Sequence, residues 1–236
     1  MCSNPNSPIN TTAIILARAG SKRIPSKNIT PFLGKPLLAH VIERASNLGL
    51  FDQIIVSTDD PKIAQIAQDH GALTPFLRPS HLADDNTPTL EVLAHAIQAL
   101  NLPLESLVCG LYGTSVLLQK ESLERAFLAL KQNPHKKYAF ACSAYSASPY
   151  RAFSLEHNTP TPLFAHNIPK RSQDLPALYH DAGLFYLGLA RHFANQQPLL
   201  APHSIPIILP ALHTQDIDTL EDLELAKLKY QLLNHD

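Results

Sequence analysis

Short apolar runs alternate with stretches of helical period along most of the chain. Ala13–Ala17 is an apolar run of strand length. From about Pro36 to Asn47, Leu37, Leu38, Val41, Ile42 and Ala45 then fall on one stripe, the spacing of an amphipathic helix. Ile54–Ser57 reads as the next strand, and Asp60-Pro61 opens the helix after it, with aspartate as cap and proline at the first helical position. Thr89 to Leu100 repeats the helical pattern through Leu90, Leu93, Ala94, Ile97 and Leu100, and is followed by strand Leu107–Tyr112, helix Glu121–Lys131 and strand Tyr138–Cys142. Strand-like Leu184–Leu187 and Ile205–Leu209 precede a final helix at Thr219, where Thr219 and Asp222 have capping-box spacing and Glu221 suits the helix N-terminus. This alternation predicts an α/β fold on a mostly parallel sheet. In such sheets ligands sit beyond the carboxyl ends of the strands.

The rhythm breaks between about Ser146 and Asp181, a stretch with no glycine and with prolines at 149, 160, 162, 169 and 176. Tyr150, Phe153, Leu163, Phe164, Ile168 and Leu175 lie there without a period that would let one helix or strand bury them. The stretch is expected to be an inserted arm packing on a second subunit; a flexible lid is the alternative. With 236 residues, 45% of them hydrophobic, the chain supports one core. Residues 1–11 are expected to form a disordered extension and 12–236 one domain carrying the arm at about 146–181. The polar, uncharged start argues against a secretory signal, and no apolar run approaches membrane-spanning length. A net charge of −1 gives no global field to hold nucleic acid or an acidic membrane. Cys2, Cys109 and Cys142 have no paired spacing, and the last two sit in apolar runs as small hydrophobes. A reduced, cytoplasmic protein is the expectation.

The richest chemistry follows the first strand. Ala19, Gly20 and Ser21 are small enough for backbone N–H groups to approach an anion, while Arg18, Lys22, Arg23 and Lys27 supply charge. A nucleotide phosphate site and a solvated basic loop both fit those residues. Neither G-x-x-x-x-G-K-[ST] nor G-x-G-x-x-G is present here. Asp216 and Asp218 are one residue apart, so in an extended segment their carboxylates share a face. Such a pair repels unless a cation sits between, and Mg²⁺ shared with phosphate oxygens is one solution; local helix capping is the other. Asp59 is left open between a metal ligand and a structural role.

Several ordered motifs together resemble the acylneuraminate cytidylyltransferase family, whose members activate nine-carbon 2-keto sugar acids. They are Ala13 to Asn28, Phe51 to Asp60, Phe76-Leu77-Arg78-Pro79 with Asp85 to Thr89, and Gln215-Asp216-Ile217-Asp218-Thr219. Lys170 to Leu175, Tyr179 to Gly183 and Pro202 to Ile207 resemble the branch acting on pseudaminic acid. The resemblance implies a single Rossmann-like nucleotidyltransferase domain, a homodimer whose inserted arm reaches the neighbouring site, and transfer of CMP from CTP to the anomeric hydroxyl of a nonulosonic acid, feeding cell-surface or flagellin glycosylation. It implies Mg²⁺ or Mn²⁺ on Asp216 and Asp218; Arg18, Lys22 and Lys27 as phosphate clamps, with Ser21 and Arg23 beside them; and Asn28, Arg78, Asp85 and Thr89 around cytidine. Tyr112, Arg171, Gln173, His180 and Asp181 are the residues it implies for the sugar acid.

Departures from the family also carry information. Tyr112-Gly113-Thr114-Ser115-Val116-Leu117-Leu118 stands where sialic acid enzymes have Gln-Pro-Thr-Ser-Pro-Leu-Arg, which argues against sialic acid itself. Gly113 and Val116 also differ from the pseudaminic branch, and Leu16 and Ala19 replace a proline and a glycine common among relatives. Enzymes for sialic, legionaminic or eight-carbon keto-deoxy acids, and a non-catalytic nucleotide-sugar binder, are the competing readings. The retained Asp216–Asp218 pair argues against the binder.

Overall fold

Side-chain alternation along β1 (Thr11–Leu16) sets the layers. Ala13 and Ile15 enter one core, with Ala17 just beyond the strand, whereas Ile14 enters the core on the opposite face. A strand buried on both faces belongs in the middle of a covered sheet. The computed structural model describes residues 10–234, so the extension expected at the N-terminus lies outside them up to residue 9, and Thr11 already belongs to β1.

After β1 and a basic loop, a small hairpin of β2 (Pro31–Phe32) and β3 (Lys35–Pro36) leads into α1 (Leu37–Leu48), which Gly49 ends in the left-handed conformation. Then come β4 (Gln53–Ser57), α2 (Pro61–Asp69), α3 (Thr89–Ala99), β5 (Leu107–Tyr112), α4 (Lys120–Gln132) and β6 (Tyr138–Ala144). The chain continues through β7 (Phe153–Glu156), β8 (Thr159–Pro162), β9 (Tyr179–Leu189), α5 (Ala190–Ala194), β10 (Ser204–Ile208) and α6 (Leu220–Leu233). Asp60 caps α2 through the N–H groups of Lys62 and Ile63, and Thr219 with Asp222 forms a reciprocal capping box on α6. Both caps follow the sequence expectation.

The main sheet has six strands in the order β10-β6-β9-β5-β1-β4. All neighbours are parallel except β9, which runs antiparallel to β5 and β6. Residues of α1, α2, α4 and α6 cover one face; α3 and α5 cover the other. Cys109 and Cys142 are buried free thiols in those layers, and burial raises both above the ordinary thiol value.

The segment read as having no clear period contains one hairpin. β7 pairs antiparallel with β8 across His157 and Asn158, both at positive φ, the geometry of a tight primed turn. The hairpin does not bury its apolar groups: Phe153 is 57% exposed and Leu155 62%. The arm rejoins the sheet at Tyr179, because Tyr179, His180 and Asp181 pair with Ala144, Ser143 and Cys142. Between that pairing and Phe140↔Tyr186 the register shifts around Gly183, which sits at φ 58°. Such a bulge re-aims nearby side chains, here Asp181.

Candidate functional site

Backbone geometry comes first in the loop after β1. One peptide, Arg18–Ala19, is held at both ends: its carbonyl accepts from Asn28 Nδ2 at 2.8 Å, and its N–H donates to Asp59 Oδ1 at 3.0 Å. Ser21 N–H turns inward to the Ala19 carbonyl. Two of the small-residue donors expected to face an anion are thus spent within the protein, and Gly20 N–H is the one left without a protein acceptor among the described residues. Asn28 is buried beside Gly113, where a Cβ would come within 2.2 Å of Asn28 Oδ1. Only glycine lets that amide stand where it does.

The four cations of the loop are held in pairs. Asp85 takes Arg18 and Lys22, each at 2.5 Å, and their hydrogen bonds hold its carboxyl below the usual range. Asp218 takes Arg23 at 2.7 Å and Lys27 at 3.3 Å. Lys27 also donates to the carbonyl of Ile217. The loop is thereby tied at one end to the segment before α3 and at the other to the segment before α6.

Arg18, Ser21, Lys27, Asn28, Arg78, Asp85, Thr89 and Tyr112 line one cleft at the carboxyl ends of β1 and β5. Arg78 is only 5% exposed; it donates Nε–H to Ser57 Oγ and Nη2–H to the Ser57 carbonyl. Burial lowers its pKa to about 10, Asp59 opposes that shift and Arg18 adds to it. Thr89 Oγ1 and the Tyr112 hydroxyl are 2.7 Å apart. Lys22 and Arg23 stand at the rim, their side chains 83% and 67% exposed.

His180, Asp181, Asp216 and Asp218 line a second cleft. Lys27 joins the two, since it lines the first and bonds Asp218 in the second. Asp181 is fixed twice, accepting from Gly183 N–H at 2.8 Å and from the Tyr186 hydroxyl at 2.5 Å. His180 packs its ring on Tyr145. Asp216 and Asp218 flank fully buried Ile217. The carboxyl of Asp216 keeps an open edge, yet the packing around it and then the charge of Asp218 raise its pKa. Lys229 of α6 holds the carbonyls of Ala211 and Thr214 and the side chain of Gln215, fixing the segment that delivers Asp216. Arg171 and Gln173 lie elsewhere, exposed on the arm, with Arg171 paired to Asp174 at 2.8 Å.

The model of the family described as Cytidylyltransferase matches residues 12–234, nearly the whole described chain. The chain belongs to the cytidylyltransferase family. It is an enzyme of nucleotidyl transfer. A Helicobacter pylori protein named pseudaminic acid cytidylyltransferase and UDP-2,4-diacetamido-2,4,6-trideoxy-beta-L-altropyranose hydrolase is 43% identical over 219 residues, which is 93% of this chain and 42% of that one. The Campylobacter jejuni (serotype O:2) protein named pseudaminic acid cytidylyltransferase is 42% identical over 226 residues, 94% of this chain and 97% of its own. The solved structure of a CMP:2-keto-3-deoxy-manno-octonic acid synthetase complexed with CTP superposes with a TM-score of 0.70 at 20% identity, covering 93% and 97% of the two chains. That likeness shows the same fold.

For this cytidylyltransferase, three features were not legible as site residues in the sequence. Tyr186, which fixes Asp181, carried no signal in the sequence, because its role depends on the bulge in β9. Gly113 stood out only as a departure from relatives. Asp59 was visible but ambiguous, and the structure gives it the N–H of Ala19, a residue 40 positions away. No group of three or more metal-ligating side chains occurs among the described residues. The Asp216–Asp218 donor set nevertheless suits Mg²⁺, which is commonly held by one or two carboxylates with substrate phosphates completing the shell. Asp216 has no hydrogen-bond partner for its carboxyl among the described residues, and the like charge of Asp218 works against its ionisation.

Proposed function

We propose that this cytidylyltransferase transfers CMP from CTP to the anomeric hydroxyl of a nonulosonic acid, most specifically pseudaminic acid, and releases pyrophosphate. The observation that carries the sugar assignment is 42% identity along 97% of a pseudaminic acid enzyme, together with Tyr112 at the head of a segment lacking the arginine and prolines of sialic acid enzymes. The triphosphate replaces Asp85 and Asp218 as partner of the loop cations, so Arg18, Lys22 and Lys27 neutralise charge that grows as pyrophosphate leaves. The sugar hydroxyl oxygen bonds to the α-phosphorus in line with the breaking bond to the bridging oxygen, and its proton passes to solvent. Arg78, Asn28 and Thr89 surround the cytidine, while Asp181, fixed by Tyr186 and Gly183, meets the sugar's polar groups. Mg²⁺ or Mn²⁺, held by Asp216 and Asp218 with the phosphates, would stabilise negative charge on the phosphate oxygens.

The protein works as a homodimer whose arm covers its partner. Phe153, Leu155 and Leu163 expose more than half of their surface on the arm, a patch that association would cover. Arg171 then completes the partner's sugar site, which is why it sits apart from both clefts of its own chain. Pyrophosphate release measured with CTP, ATP, GTP and UTP against pseudaminic, N-acetylneuraminic and legionaminic acids tests the reaction. Equal efficiency with N-acetylneuraminic acid would refute the sugar assignment and leave cytidylyl transfer standing. Mixing Arg171→Ala with Asp216→Asn protein tests the arm: random exchange should restore roughly a quarter of wild-type activity, because each mixed dimer has one intact hybrid site. No recovery, or a monomer by light scattering with full activity, would leave the lid.

A further inference from the structure

Asp59 has no place in the transfer step described above, yet it touches the centre of the nucleotide loop. Its Oδ1 takes the Ala19 N–H at 3.0 Å, opposite the 2.8 Å bond from Asn28 to the Arg18 carbonyl. The two bonds fix the plane of a single peptide. Turning that plane would swing the Arg18 side chain and re-aim Gly20 N–H, the loop donor left for a phosphate oxygen. Asp59 also lies close enough to Arg78 to favour its charged form, while Arg18 works against it. We propose that Asp59 is a positioning residue for the nucleotide, which holds the Arg18–Ala19 peptide in its binding orientation through the acceptor it offers the Ala19 N–H. The role of metal ligand is the competing one. It fits less well, since Asp59 lies beside the Arg78 guanidinium and one of its oxygens is already bonded to Ala19.

The sign of the effect separates positioning from plain charge. Asp59 is an anion near a site for an anion, so by point-charge reasoning its removal should tighten triphosphate binding. Positioning demands the opposite. Asparagine keeps an acceptor oxygen at the same reach, alanine removes it, and glutamate keeps the charge but overshoots by one methylene.

The experiment is calorimetric binding of CTP with Mg²⁺ to the full chain, without sugar acid, followed by steady-state kinetics. The inference rests on CTP being the nucleotide, and CTP binding by the wild-type protein tests that separately. Asp59→Asn should bind CTP within about threefold of wild type, and Asp59→Ala and Asp59→Glu about tenfold more weakly, the worth of one net hydrogen bond and the order it imposes. The loss should appear in KM for CTP, with kcat at saturating CTP and KM for the sugar acid little changed. Should the alanine variant fail to fold, glutamate carries the same test. Tighter or unchanged binding in Asp59→Ala and Asp59→Glu would overturn the proposal. So would an asparagine variant as weak as alanine with a raised Mg²⁺ requirement, the result expected of a metal ligand.

Discussion

Replacing Arg78 by alanine tests the nucleotide cleft most directly, because the side chain is buried and its bonds are divided. Nε and Nη2 each give one N–H to Ser57, while Nη1 has no protein partner among the described residues and belongs to a guanidinium that lines the cleft. At least one charge-assisted bond to the nucleotide should vanish on truncation, worth about 1.5–3 kcal/mol, or about 10- to 150-fold in kcat/KM for CTP. The structural cost is moderated, since the Ser57 carbonyl also accepts from Ala17 N–H at 3.1 Å and is not orphaned. Base discrimination should suffer too, and the CTP/UTP ratio of kcat/KM should fall about tenfold, because a site built on polar contacts rejects the wrong base by leaving them unpaired. Lys22→Ala is the control. Its side chain is 83% exposed, so all triphosphates should weaken together by only a few-fold. The assay is pyrophosphate release across CTP and UTP for both variants. A CTP/UTP ratio unchanged in Arg78→Ala but altered in Lys22→Ala would reverse the two roles.

Asp216→Asn and Asp218→Asn should each lower kcat by roughly two or more orders of magnitude at saturating CTP, and a Mg²⁺ titration should show the loss is not restored by excess metal; near-normal turnover in both would remove the metal assignment. Gly113→Ala should raise KM for CTP by about tenfold, because the new Cβ would stand 2.2 Å from Asn28 Oδ1 and displace the amide that holds the Arg18 carbonyl; an unchanged KM would show that Asn28 moves without consequence. Burial lowers His40 below its ordinary 6.5, so the unfolded chain binds a proton the folded chain resists, and stability should fall as pH drops through 6.5 toward the folded value. Thermal melts between pH 7.5 and 5.5 should show that decline, and His40→Gln should make it shallower, with His95 and His192, which burial also lowers, carrying the rest; an equally steep decline in the variant would place the acid sensitivity elsewhere.

What was legible in the sequence was whatever short-range chemistry determines. The Asp60 cap on α2 and the Thr219–Asp222 box on α6 need only neighbours two or three residues away, and both formed as expected. Central strands buried on both faces were placed within a residue or two, because they leave a continuous apolar run, whereas β9, expected at Leu184–Leu187, begins five residues earlier at Tyr179. The arm hairpin was hidden by Pro160 and Pro162 in β8. In an isolated two-stranded ribbon, prolines at alternate positions are tolerated if their missing N–H groups would have faced solvent, so they did not forbid the strand they seemed to exclude. The antiparallel course of β9 and the bulge that aims Asp181 depend on partners in β5 and β6, and no local pattern specifies them.

The distribution of charge explains how a chain of net charge −1 carries a triphosphate site. Four cations crowd into the loop after β1, and unopposed they would repel one another and splay. Asp85 and Asp218, from opposite ends of the loop, each bridge two of them, so the free protein keeps the cations gathered without a ligand. Lys22 and Arg23 make their contacts from exposed side chains, where ion pairs are individually weak, which suits groups that must exchange partners. The Arg18–Ala19 peptide is different in kind: its bonds to Asn28 and Asp59 do not compete with phosphate and can persist when the ion pairs are exchanged. A loop with a fixed backbone and exchangeable counter-ions loses little order on binding, so more of the nucleotide's interaction energy remains to act on the transition state.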